Sequence, residues 1–188
     1  MSKYIASFLI LFTILITACG PTGGDPKRND HPPSIVQSTA LPPPEVERKE
    51  GDFIYKLYTE KGMYDEYEDT SIIAELTYVG DEETIEIFHA ETPLTFALEE
   101  RTRNVKIETL IRDIGVTSKL KKDVPLIKKY TVTKGHVFED DKASVKFFKT
   151  VKKKGLPDGE YIIHGFADFS DKNKHYTING EIGFTVIK

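Results

Sequence analysis

The sequence predicts an all-β domain over residues 51–188, an antiparallel β-sandwich of about seven to nine strands. Apolar and polar residues alternate along several short segments, and Gly, Pro, Asp and Asn separate those segments. No long stretch shows the period of an amphipathic helix. The 138 residues from 51 to 188 are enough for one hydrophobic core.

The first half of this domain supplies the clearest alternation. Residues 53–59 are predicted as the first strand, and residues 62–69 as an acidic loop. A second strand is predicted at 71–79, followed by a turn at 80–83. The residues expected to face the core are Ile72, Ala74, Leu76, Tyr78, Ile85, Ile87, Leu94, Phe96 and Leu98.

The middle of the domain is less regular. Val105 and Ile107 continue the alternation, but the apolar residues of 110–114 break it, which predicts a short helix or an irregular crossing. Residues 126–133 are predicted as a strand with Tyr130 and Val132 inward. Residues 145–151 are predicted as a strand with exposed lysines.

The end of the chain predicts a closing hairpin. Residues 161–169 and 176–187 form its two strands, and residues 171–173 form its turn. The inward positions are Tyr161, Ile163, Gly165 and Ala167 on the first strand and Ile182, Phe184 and Val186 on the second.

Asp158-Gly159-Glu160-Tyr161 resembles the tyrosine corner of immunoglobulin-like sandwiches, in which a Tyr bonds back to upstream backbone. The resemblance implies an immunoglobulin-like arrangement of the sandwich. Ile163 stands where antibody domains carry a Cys, and the chain has no Trp. A disulfide-bonded antibody-type domain is therefore excluded.

Two further resemblances concern short segments. Residues 156–165 are similar to the closing hairpin of the sandwich domain in bacterial intracellular proteinase inhibitors, which implies protease inhibition as one function. Residues 72–98, with Leu76-Thr77-Tyr78-Val79-Gly80 and Phe88-His89-Ala90, resemble uncharacterised lipoproteins of Bacillus relatives. That resemblance implies no activity.

The amino terminus predicts export. Lys3 precedes the almost wholly apolar residues 5–16, and the segment ends in the small residues around Cys19. A positively charged start, a short apolar stretch and small residues at its end form a secretory signal pattern. About a dozen apolar residues are few for a membrane span, which takes about 20.

Ile16-Thr17-Ala18-Cys19 resembles the lipobox of bacterial lipoproteins. The resemblance implies a diacylglyceryl thioether on Cys19 and removal of residues 1–18, so the mature chain is anchored on the extracytoplasmic face of a cell membrane. Two acyl chains together hold a protein stably on a bilayer. An ordinary cleaved signal and an uncleaved anchor helix are the alternatives.

Residues 19–50 are predicted as the lipidated Cys19 followed by a disordered linker. Gly and Pro are frequent, with Pro32-Pro33 and Pro42-Pro43-Pro44, and residues 45–50 are mostly charged. Proline clusters favour extended polyproline conformation and semi-stiff spacing. A spacer between membrane and domain is the favoured interpretation, and a ligand for partner domains is the other.

The sequence predicts no enzyme and no cofactor. No Ser lies in a Gly-x-Ser-x-Gly elbow, and the single Cys is assigned to lipid. The net charge of −4 gives no overall nucleic-acid footprint. An enzyme or metal-dependent sensor would require His89, His136 and His164 to converge with acidic partners.

The candidate binding residues lie in an acidic loop and at two histidines. Loop carboxylates of an exported sandwich can bind calcium, although the EF-hand spacing is missing. Solvated loop charge and surface histidines are the favoured interpretations. The candidates are Asp65, Glu66, Glu68, Asp69, His89 and His164, and further acidic runs lie at 81–83 and 139–141.

Three basic runs complete the candidates, at 119–122, 128–129 and 152–154. They could meet anionic lipid headgroups or anionic wall polymers. Lysines on strand edges also oppose aggregation, which is the favoured role here.

The function expected from these features is a non-enzymatic binding module on a lipid anchor. Its partner would be an envelope protein or a wall polymer, and nucleic acid is not expected. Protease inhibition and a calcium-dependent surface protein are the alternatives.

Overall fold

The computed structural model describes residues 41–42, 44–131, 135–136 and 142–188, the pair 135–136 by backbone alone. Within these ranges the chain forms two β-sheets and one helix, which confirms the predicted all-β, sandwich-like fold. The strands are β1 (Glu45–Glu50), β2 (Phe53–Thr59), β3 (Met63–Asp65), β4 (Ile72–Tyr78), β5 (Thr84–His89), β6 (Leu94–Glu100), β7 (Val105–Thr109), β8 (Val116–Lys121), β9 (Leu126–Lys129), β10 (Gly135–His136), β11 (Gly159–Ser170) and β12 (His175–Ile187); the helix is α1 (Lys142–Lys154).

The smaller sheet has the order β1-β2-β4-β9, with every pair antiparallel. The larger sheet has the order β10-β7-β6-β11-β12-β3. At the far end of β11, Ser170 pairs with Phe88 of β5, and β5 pairs in turn with β8. The strand β3 is parallel to β12, so the predicted purely antiparallel pairing is wrong at that one ladder.

Strict alternation of burial explains why the strands could be recognised. Along β2, β4 and β6 every second residue is buried, as expected for strands with one face on a core. All predicted inward residues of β4, β6, β11 and β12 are buried. On β5, Ile87 is fully buried and Ile85 is partly buried against the core.

The described part of the chain has twelve strands, more than the seven to nine predicted. Two of the additional strands are very short, since β3 has three residues and β10 has two. The loop predicted at 62–69 contains β3, because Thr185–Ile187 of the last strand pair with residues 63–65.

The strand β1 corrects the predicted linker boundary. Residues 45–50 were expected to be linker, but they pair along their whole length with β2. Their charged sequence fits an edge strand, where only Val46 packs against the core. Before β1, the carbonyl of Pro42 accepts a hydrogen bond from the Gly183 N–H at 3.1 Å, so the folded domain begins before residue 51.

The helix α1 replaces the strand predicted at 145–151. Ser144, Phe147 and Val151 are buried, and their i, i+3, i+7 spacing places them on one helical face. Lysine-rich sequence is compatible with a helix, whose interior favours straight side chains. The helix ends at Lys154, and the next residue, Gly155, has φ +109° and donates its N–H to the Val151 carbonyl at 3.0 Å.

Residues 110–115 form the irregular crossing between β7 and β8. Leu110 and Ile114 break the alternation because their side chains are exposed rather than packed. Tyr130 is buried as predicted, whereas Val132 lies outside the described residues. No helix in the described ranges is long and apolar enough to cross a membrane.

The predicted tyrosine corner is present. The Tyr161 hydroxyl donates to the Pro157 carbonyl at 2.6 Å, four residues upstream. Burial raises the pKa of this hydroxyl, and the nearby Glu100 carboxylate adds to the effect. The bond fixes the start of β11 against the core.

Glu100 is a fully buried carboxylate at the end of β6. Its Oε1 accepts from the Thr102 N–H at 3.0 Å and its Oε2 from the Arg103 N–H at 2.6 Å. The Arg103 guanidinium lies 3.3 Å from Oε1 and also donates to the Asp158 carbonyl. One carboxylate therefore joins the β6–β7 turn to the segment that leads into β11.

We expect Glu100→Ala to lower the free energy of unfolding by about 2 kcal/mol, because two backbone donors lose their buried acceptor. The matched control is Glu99→Ala. Glu99 points to the other face of β6, is half-buried, and makes a 3.4 Å ion pair with Lys106, so its loss should stay below about 1 kcal/mol. Urea unfolding measures both, and equal losses would contradict the structural role of Glu100.

Candidate binding cleft

A cleft of about 370 Å³ opens where the 67–70 loop meets the start of β4, the end of β9 and the last turn of α1. Three segments that are distant in sequence, residues 67–72, 129–131 and 151–156, supply its walls. The lining residues are Tyr67, Glu68, Asp69, Thr70, Ile72, Lys129, Tyr130, Thr131, Val151, Lys154, Gly155 and Leu156.

The floor of the cleft is apolar and part of the main core. Ile72, Val151, Leu156 and Tyr130 are all buried. The Tyr130 ring packs edge-on against Phe96, with centroids 5.6 Å apart. Burial raises the pKa of the Tyr130 hydroxyl, which has no hydrogen-bond partner among the residues that the structure describes. The floor is therefore mostly apolar and suits an apolar group of a ligand.

The rim of the cleft carries charges of both signs. Asp69 and Lys129 form an ion pair of 3.4 Å, and the Lys154 Nζ lies 5.2 Å from the centre of the Tyr67 ring. Glu68 bonds to Lys61 and accepts from the Asp65 N–H at 3.0 Å. The Lys61 bond is the main cause of the lowered pKa of Glu68 and of the raised pKa of Lys61.

Tyr67, in the loop that forms one wall of the cleft, has an unusual backbone conformation. Its φ of 67° lies in the left-handed region, which is sparsely populated for residues other than Gly. The Tyr67 N–H donates to the Leu156 carbonyl at 2.9 Å, and the Glu66 N–H donates to the Ile187 carbonyl at 2.7 Å. These bonds fix the loop, so the cleft wall is formed in advance of any ligand.

The structure separates the four acidic candidates. Asp65 lies in β3 and Glu66 lines a neighbouring cavity, whereas Glu68 and Asp69 line the cleft and each contact a lysine. Among the described residues, no group of three or more His, Cys, Asp or Glu side chains could hold a metal ion. The acidic run at 139–141 lies outside those residues.

His89 lies on the β5–β8 ladder with polar partners. Its Nδ1 is 2.7 Å from the Ala90 carbonyl, which can only accept, so Nδ1 donates there. Nε2 of the neutral ring then accepts from the Ser118 hydroxyl at 2.8 Å. The pair places a hydroxyl beside an imidazole, but neither residue lines the cleft.

His164 lies on the outer face of the larger sheet, on a different ladder from His89. Its Nδ1 is 3.0 Å from Glu181 and its Nε2 is 3.6 Å from Glu99, both across neighbouring strands. The structure does not bring His89 and His164 together with shared acidic partners. The side chain of His136, like Cys19, lies outside the described part of the chain.

Sequence reasoning missed most of the cleft. Glu68 and Asp69 were singled out as charges, but Tyr67 and Ile72 were assigned only to a loop and a core face. Lys154 was assigned to a strand end, and the structure places it on the last turn of α1. The one available signal was that the sequence contains both an acidic loop and basic runs. That signal does not show which of these charged residues contact each other.

No family model matches the chain, and no curated protein matches it. Among solved structures, the chain is similar to a crystal structure of a protein from Archaeoglobus fulgidus. The two share 10% sequence identity, with 76% of this chain and 99% of that chain covered and a TM-score of 0.35.

Proposed function

We propose that the protein is a membrane-anchored extracytoplasmic lipoprotein whose β-sandwich is a non-enzymatic binding module. The observation that carries the proposal is the position of the chain's single cysteine, directly after a short apolar segment and within Ile16-Thr17-Ala18-Cys19. A diacylglyceryl group there would hold the mature chain on a bilayer.

The start of the folded domain supports a tether between anchor and module. Leu41 and Pro42 lie against Gly183. The residues from 20 to 40 then separate Cys19 from the domain. Twenty-one residues span at most about 75 Å when fully extended. The domain can therefore work close to the membrane or some distance from it.

The cleft supports recognition as the task of the domain. It combines an apolar floor around Ile72 and Leu156 with a rim on which Lys129, Asp69 and Lys154 offer charge of both signs. Such a site fits a peptide segment that places one apolar side chain in the floor and polar groups on the rim. An envelope protein is the partner class that best matches this chemistry.

Cys19→Ala is expected to abolish fatty-acid incorporation and to leave residues 1–18 attached, because the acceptor sulfur is gone. Metabolic labelling of the full chain in its host, with intact mass of the purified product, measures both effects. Ser7→Ala, inside the apolar segment, is the control and should retain the label. Label that persists in Cys19→Ala would refute the anchor.

Recognition at the cleft is tested by photo-cross-linking in the host. A photoreactive phenylalanine in place of Tyr67, which lines the cleft, is expected to give a discrete cross-linked product. The same residue in place of Thr117, exposed on β8, is the matched control. Identical products from both positions, or none from position 67, would count against the cleft as the recognition site.

A further inference from the structure

We propose that the exposed face of α1 is a second membrane contact, a basic surface that docks on anionic phospholipid headgroups. The inference rests on the proposed membrane anchor for its location. The following residues carry it: Lys142, Lys146, Lys149, Lys152, Lys153 and Lys154, all on α1 and all exposed.

The charge of α1 is unlike that of the rest of the protein. The helix has thirteen residues, six of them lysines, and no acidic residue, whereas the full chain has a net charge of −4. Within the described ranges, none of these lysines forms an ion pair. A cluster of six lysines without an ion pair to any other described residue attracts an anionic surface.

Four of the six lysines are arranged on one side of the helix. Lys142, Lys146, Lys149 and Lys153 follow i, i+4, i+7, i+11 spacing and therefore share a face. The buried residues Ser144, Phe147 and Val151 occupy the opposite face, toward the core. The packing of α1 on the domain thus directs the basic stripe outward.

An apolar stripe runs beside the basic one. Val145 is 38% exposed and Phe148 is half-buried, and the Lys152 Nζ lies 5.3 Å from the Phe148 ring centre. On the other flank, Lys146 lines a cavity together with the acidic Glu66 and Asp158. Lysines beside partly exposed apolar side chains are one feature of helices that bind at a membrane interface, and in α1 the remaining apolar face packs on the core.

The α1 lysines cannot protect a sheet edge against aggregation, which was the role expected of residues 152–154. Residues 152–154 were predicted to protect a sheet edge, but they end a helix, which has no unpaired ladder to protect. A lipid surface is the occupant best placed to meet them. The 21 residues between Cys19 and Leu41 allow the domain to turn α1 toward the bilayer that holds the anchor.

The test uses the full chain reconstituted in vesicles, with Val145→Cys carrying a fluorophore and spin-labelled lipid as the quencher. Unmutated chain treated with the same dye gives the background from Cys19. We expect strong quenching with phosphatidylglycerol in the bilayer and little with phosphatidylcholine alone. Quenching should fall in about 0.5 M NaCl, where the screening length is roughly 4 Å.

Lys146→Gln, Lys149→Gln and Lys153→Gln combined should weaken the contact roughly a hundredfold, or about 3 kcal/mol for three lysines. The matched control neutralises Lys119, Lys121 and Lys122, on β8 and the turn after it, and should leave quenching unchanged. Urea unfolding of both variants checks that they fold.

Quenching that is equal in both lipids, or unaffected by the α1 variant, would overturn the inference. If there is no quenching, and a soluble anionic wall polymer instead protects the α1 lysines from acylation, the inference is overturned. The basic surface would then bind the polymer. An unmodified Cys19 would refute the lipid anchor alone. Co-sedimentation of that unanchored chain with vesicles, with and without phosphatidylglycerol, would then still measure the helix contact.

Discussion

Gly165→Ala is expected to lower the free energy of unfolding by about 3 kcal/mol. Gly165 lies in the middle of β11, opposite Gly180 of β12, on the buried face of the larger sheet. A Cβ at Gly165 would stand 2.2 Å from the hydroxyl oxygen of Tyr55, on β2 of the other sheet. The missing side chain is what lets this fully buried tyrosine cross between the sheets.

The hydroxyl of Tyr55 makes the clash testable. Because this hydroxyl is buried and no described residue forms a hydrogen bond with it, Tyr55→Phe should be neutral or slightly stabilising. In that background Gly165→Ala should cost about 1–2 kcal/mol less than in the unmutated protein. Part of the cost will remain, since the Leu57 methyl carbons lie 2.9 and 3.0 Å from the same Cβ position.

The matched control is Gly62→Ala. A Cβ at Gly62 would meet no atom within 4 Å, so its effect should stay within about 0.5 kcal/mol. Urea unfolding of the four Tyr55 and Gly165 combinations gives the coupling energy. A loss at Gly165 as small as that at Gly62, or a loss unchanged by Tyr55→Phe, would show that the sheets can separate to accept the methyl group.

The sandwich could be predicted because one face of most strands is buried. In β4 and β6 every second residue is buried, so the sequence has a strict period of two. The side chains on the buried face are apolar except for Glu100, and most polar side chains lie on the other face. The same argument identified the closing hairpin. Its register, from Gly159 opposite Val186 to Ser170 opposite His175, is continuous along the whole ladder.

The secondary structure of β1 and α1 was predicted wrongly because it depends on contacts with residues that are distant in sequence. In β1 a single residue, Val46, packs against the core, so the strand has the composition of a linker. In α1 the segment from Val145 to Val151 contains apolar residues at both strand-like and helix-like spacings. The helix is favoured over a strand because it lets Phe147 and Val151 pack together against the core.

The cleft could not be predicted because it depends on tertiary contacts alone. Tyr67, Lys129 and Lys154 come from three segments about 60 and 25 residues apart, and the sequence gives no register between them. The charge of the acidic loop was visible, but its pairing with Lys61 and Lys129 was not. In the structure the loop carboxylates Glu68 and Asp69 are each paired with a lysine at the rim of the cleft.

Stability is expected to fall as pH rises through 10, with a contribution from three buried tyrosines that approaches about 4 kcal/mol per pH unit above pH 11. Burial raises the pKa of Tyr55, Tyr130 and Tyr161 well above 10, the value near which unfolded tyrosines titrate. Above that pH the unfolded chain releases three phenolic protons that the folded chain retains, so unfolding becomes more favourable as pH rises. Below about pH 9 these three groups add no pH dependence.

Tyr55→Phe should remove about one third of the decrease that the three buried tyrosines produce, because one of their protons no longer contributes. Urea unfolding at several pH values between about 8 and 11 measures the slope for both proteins. Subtracting the two curves cancels the lysines, which titrate in the same range and are common to both. Parallel curves would mean that the Tyr55 hydroxyl ionises in the folded protein as easily as in water, and would contradict its burial between the sheets.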